Sequence, residues 1–211
     1  MSGSKDAFVV PAGLVFRQED GGLAIEHDGD IILHGSLGQT LQSVRSNNGN
    51  IELFLDADLN EVAAHRGSVK IRGSLNAKSV HGKTIEVEGS VRADGIYGGS
   101  IKVAGSLQAG NVNAMDGGIE IGGDVTIQEE LCADGGDIII DGRLKAASVT
   151  ANEGRVVVRG SAKTQVIEAG TNIVVHGVCE AQEIIAGGQI EIFERVEARS
   201  VRGDWVRVEA S

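Results

Sequence analysis

The sequence predicts an all-β chain wound as a single-stranded parallel β-helix, with three short strands per coil of 16–18 residues and about ten coils. Three observations predict it. Closely similar phrases return at a nearly fixed period: "TIEVEGSVRADGIYGGS", "SIKVAGSLQAGNVNAMDGG" and "DIIIDGRLKAASVTANEG". Inside each phrase apolar residues stand two apart, as in Ile101 and Val103, Leu107 and Ala109, Val112 and Ala114; this is the period of a strand and not of a helix. Glycine is 31 of 211 residues and aromatics are only 3%, so turns are plentiful and the interior has to be filled by Ile, Val, Leu and Ala.

Aligning the chain on its glycines divides it into residues 1–28, an N-terminal segment read as a cap, and a β-helix domain over residues 29–211. Coils begin near Gly29, Gly49, Gly67, Lys83, Ser100, Gly118, Gly136, Gly154, Thr171 and Gln189. No helix fits between units. Each unit therefore makes one turn of a triangular solenoid, and every strand pairs in parallel with its equivalent one coil on, ~4.8 Å away. Right-handed winding follows the general preference of parallel crossovers. A left-handed hexapeptide solenoid has similar anchor spacing and stays open as an alternative.

The core reads off as columns. On the first face Ile51, Val69, Ile85, Ile101, Ile119, Ile138, Val156, Ile173 and Ile190 stack. Beside them run Leu53, Ile71, Val87, Val103, Ile121, Ile140, Val158, Val175 and Ile192. β-Branched side chains suit such a pleated, buried surface. The second face starts with a large residue (Leu75, Val91, Leu107, Val125, Leu144, Cys179, Val196), followed two positions later in many coils by alanine (Ala77, Ala93, Ala109, Ala146, Ala181, Ala198), as suits three walls sharing a narrow interior.

These phrases carry a resemblance. "GSVKIRGSLNAKSVHG", "IEVEGSVRADG" and "IKVAGSLQAGNV" resemble the coils of bactofilins, the bacterial polymer-forming cytoskeletal proteins, and are similar to the repeat region of flagellar assembly protein A. The resemblance covers residues 29–209. It implies a right-handed β-helix that assembles end to end into filaments without a nucleotide. The chain has more coils than the compact bactofilin domain and lacks proline-rich tails; its one proline is Pro11.

Composition narrows the function. A formal net charge of -11 argues against nucleic acid and against an anionic membrane surface, since both need a basic footprint. No apolar run approaches the ~20 residues that span a bilayer. "AFVVPAGLVF" has no basic flank and is broken by Pro11 and Gly13, so it does not read as a secretory signal. Cys132 and Cys179 have neither C-x-x-C nor zinc spacing. A cytoplasmic location is expected.

Catalysis is not expected. The five histidines are scattered, without metal-ligand spacing, and no cofactor or metal is expected. Asp141 with Arg159, and Arg72 with Glu88, read as partners across coils and not as an acid and base. The glycine pairs such as Gly117-Gly118 read as corners, since a phosphate cradle would lead into a helix. Cys132 is expected to point outward and Cys179 inward, too far apart to pair.

What remains is surface and ends. The outward column of the first face runs Glu52, Lys70, Glu86, Lys102, Glu120, then Ile139, Val157, Val174, then Glu191 and Arg207. The apolar triplet is read as a stripe that another subunit or the N-terminal segment covers. Solenoid ends need capping. Phe8, Val9, Val10 and Phe16 are read as an N-terminal cap or contact, and Trp205 as a C-terminal plug or an anchor for the next subunit. The expected function is a non-enzymatic scaffold that self-associates through coil ends or the stripe. A surface adhesin or glycan-binding solenoid is the rival.

Overall fold

The structure is a computed structural model, and it describes residues 15–19, 21–35 and 41–209. These residues form strands and turns and no helix. The strands stack into a parallel β-solenoid of about ten turns. A single coil shows the plan: Ile138–Ile140, Leu144–Lys145 and Ser148–Ala151 are its three strands, and each pairs in parallel with its equivalents before and after. In the coils at Leu75–Val87 and Val91–Val103 the backbone stays extended round the corners, so three faces merge into one bent strand.

The predicted columns are present. Both first-face columns are buried from Ile51 and Leu53 through to Ile190 and Ile192. The second face holds its large residues inward down to Cys179, with Ala162 also in that column. Val196, the last of them, is only partly buried. The third face contributes Val44, Val62, Val80, Ile96, Val112 and Leu131, continuing to Val149, Ile167 and Ile184. Two positions on stands a column of Ala64, Gly82, Gly98, Ala114, Ala133 and Ala151, small because the walls converge there.

The corner glycines are needed for space, not for an unusual backbone angle. Only Gly21 and Gly35 have positive φ among the described glycines. At the corners the limit is the neighbouring coil. A Cβ on Gly154 would stand 2.2 Å from the carbonyl oxygen of Gly136, far inside van der Waals contact. Coils stacked one strand spacing apart leave no room for a side chain aimed along the axis.

The beginning of the stack differs from the rest. Strand β1 (Val15–Glu19) runs antiparallel to β2 (Gly22–His27), with Phe16 opposite Ile25. Gly21 at φ +83° lies in the connection, as a tight hairpin of this kind requires. Strand β2 in turn pairs in parallel with β4 (Leu41–Ser46), and β3 (Ile31–His34) with Ile51–Phe54. Among the described residues the parallel stack thus begins at Gly22, inside the segment read from sequence as a cap, and β1 is the one strand that reverses direction.

Candidate functional site

A column seen from outside is a ladder of side chains one coil apart. On the first face the observed order is Glu52, Lys70, Glu86, Lys102, Glu120, Ile139, Val157, Val174, Glu191 and Arg207, as read from the sequence. Lys70 meets Glu86 at 2.8 Å, and Lys102 meets Glu120 at 2.8 Å. Hydrogen bonding from Lys70 holds the Glu86 carboxyl below its ordinary range, and Glu120 raises Lys102. The expected pairs on the next column are also made, Arg159 with Asp141 at 3.1 Å and Arg72 with Glu88 at 3.3 Å. Exposed pairs of this kind each add little stability.

Ile139, Val157 and Val174 do stack as direct neighbours. Each is half-buried, because a β-branched side chain one strand spacing away shields the next. Trp205 is not brought to them: it pairs with Gln189 at the corner of the same face, and Glu191 separates the stripe from the last coil.

Three of the five histidines are engaged in ring stacks. His34 stacks on Phe54 at 4.1 Å, His81 on Tyr97 at 5.1 Å and His176 on Phe193 at 4.9 Å, each across one coil. Arg72 lies over the Phe54 ring at 4.9 Å. Both cysteines are free and buried. Cys132 occupies an outward register, between Asn113 and Thr150, yet is only 7% exposed. Desolvation, then the Asp134 carboxylate, pushes its thiol up to about 11; desolvation, then Glu180, does the same to Cys179. Neither is an activated nucleophile. Among the described residues no group of three or more His, Cys, Asp or Glu side chains is placed to hold a metal ion, and no helix is long and apolar enough to cross a membrane. A trough of about 560 Å³ on the second face is lined by ladder side chains such as Asn76, Arg92 and Gln108.

The two ends are where the column changes character. At the N-terminal end the first core residues are sealed: Ile25, Ile31 and Leu33 are 0%, 1% and 2% exposed. Phe8, Val9 and Val10 lie outside the described residues. Phe16 does belong to the closing strand: it sits on the inward side of β1 by its pairing with Ile25 and is 43% exposed. At the other end the strands Val196–Glu197, Ser200–Arg202 and Trp205–Val208 are each paired on one side only among the described residues. Val206 and Val208 continue the two buried first-face columns, next to Ile190 and Ile192, yet both are 42% exposed. Trp205 flanks them at 47% and points outward, so it does not plug the core. Sequence reasoning placed Arg207 outward and passed over Val206 and Val208, although the same alternation assigns them inward.

No family model, no curated protein and no solved structure matches this chain.

Proposed function

We propose that this chain is a non-enzymatic, cytoplasmic structural scaffold of the polymer-forming type, which self-associates through its coil ends. The last coil is the contact. The observation that carries this reading is the pair Val206 and Val208, core residues by position and surface residues by exposure, on a strand paired on one side only among the described residues. A free parallel edge accepts another strand through its backbone groups, and the two valines supply apolar area to bury. Trp205 beside them is the residue type most enriched at the energetic centre of interfaces. The first-face stripe is the lesser candidate, because its members already cover one another.

Light scattering after size exclusion, with negative-stain microscopy, tests the reading on the full chain. The wild type is expected to form multimers whose mass rises with concentration. Val206→Lys with Val208→Lys is expected to leave monomers, since two buried ammonium groups cannot be tolerated. A wild type that remains monomeric at every concentration overturns the proposal, and lone rods that bind glycans would favour the adhesin rival.

A further inference from the structure

The antiparallel strand at the N-terminal end is in the wrong direction for growth. A second copy that continued the solenoid head to tail would place its third-face strand Ser200–Arg202 against β2, in parallel, and its strand Trp205–Val208 against β3. The columns then run on across the junction. Val201 falls beside Ile25, Val206 beside Ile31 and Val208 beside Leu33, all inward. Arg202 falls beside Glu26, opposite charges on the outward side. This arrangement needs the edge of β2, and β1 holds that edge.

With β1 in place a docking copy is held off by one strand spacing, ~4.8 Å, at the third face. The first face cannot then close. Moreover, β1 imitates what it displaces. Phe16 takes the inward place over Ile25 that Val201 of a second copy would fill, and the Arg17 guanidinium meets Glu26 at 3.4 Å, the carboxylate Arg202 would reach. Its hold is slight. It is paired on one side, to β2 only, among the described residues; Phe16 is far from buried, and the Arg17 side chain is 66% exposed. Glu26 has a second partner in Arg45, at 3.2 Å, so it stays oriented when Arg17 leaves.

We infer that β1 is a displaceable plug: it blocks the N-terminal coil against the C-terminal coil of a second copy, and chain growth requires its exchange for Ser200–Arg202. This rests on the self-association reading above and adds its control. An unblocked junction is heterologous and open-ended, so it makes filaments, whereas a blocked one leaves short assemblies.

The test uses four variants of the full chain in light scattering and negative-stain microscopy. Phe16→Asp with Arg17→Ser loosens β1 and is expected to raise the mean mass by roughly tenfold or more, as an open-ended contact does. Arg17→Cys with Ala24→Cys, a facing pair in the β1–β2 register, is expected to stay short when oxidised and to lengthen when reduced. Adding Arg202→Glu to the loosened form is expected to shorten it, and Glu26→Arg on top to restore length. Long filaments from the oxidised double-cysteine protein would leave self-association standing and remove the plug. Short multimers in every version would do the same. Monomers in every version would remove both.

Discussion

The first and last coils are built from the same residue types in the same register, and their cores meet opposite fates. Ile31 and Leu33 head the two first-face columns and are sealed; Val206 and Val208 end those columns and are open. Burial here is a property of place in the stack and not of the residue. An interior coil receives a neighbour on each side, and a terminal one receives whatever the rest of the molecule provides. The two third-face edges differ in the same way. β2 has β1 beside it, with Arg17 on Glu26, while Ser200–Arg202 has a neighbour on one side only among the described residues.

The strongest test of this contrast uses one clash at two positions. Gly154→Val in the middle of the stack drives a side chain into the Gly136 carbonyl, and Gly187→Val near the end drives one into that of Gly170, both at 2.2 Å for the Cβ alone. In a quasi-one-dimensional fold the cost depends on how much lies beyond. Gly154→Val is expected to abolish cooperative unfolding in denaturant, losing more than ~4 kcal/mol. Gly187→Val is expected to peel off only the final coil. Thiol labelling separates them: Cys179, whose outer neighbour is Val196, reacts in both variants, and Cys132 reacts only in the first.

A smaller effect compares the two ends directly. Ile25→Ala removes a sealed side chain and is expected to cost about 2–5 kcal/mol in denaturant melts. Val206→Ala, at an exposed position, is expected to cost less than about 1 kcal/mol in the same assay under conditions where the protein is monomeric. Equal costs would mean that the last coil is covered in solution.

A further effect is in the pH profile. Both folded thiols titrate near 11, above the ordinary thiol value of about 8.5. The folded state therefore holds protons that the unfolded state releases, and stability falls as pH rises from about 8.5 to 11. Cys179→Ala is expected to flatten that slope in melts taken across the window, and an unchanged slope would show that the thiol is not desolvated as the coil packing requires.

Much of this architecture was legible because its signal is local and repeated. Ile101 and Val103 sit two apart in one phrase, and the phrase recurs, so side and register both follow from counting. The Glu52 to Arg207 column came out residue for residue for that reason. Legibility failed where a position departs from the repeat. Gly22–His27 pairs in the parallel stack, but its register against Leu41–Ser46 shifts between Leu23 and Ala24, so it falls out of step with the repeat read from Gly29 onward. Cys132 shows another limit: alternation tells which way a side chain points, not whether neighbours cover it. The candidate site was legible only in outline. The ends were identified as the place to look, yet the reversal of β1 depends on an edge being free in three dimensions, and Val206 with Val208 matters for the same reason.

The spacing of equivalent residues has a consequence for length. Val69, Ile85 and Ile101 lie one above another, 16 residues apart each time. Excising one such span, or copying it, leaves every wall in step and both tips unaltered, with the shaft shorter or longer by one rung. The body therefore works as a ruler: its cross-section and its terminal surfaces stay constant while its reach is set by how many times a single phrase is spoken.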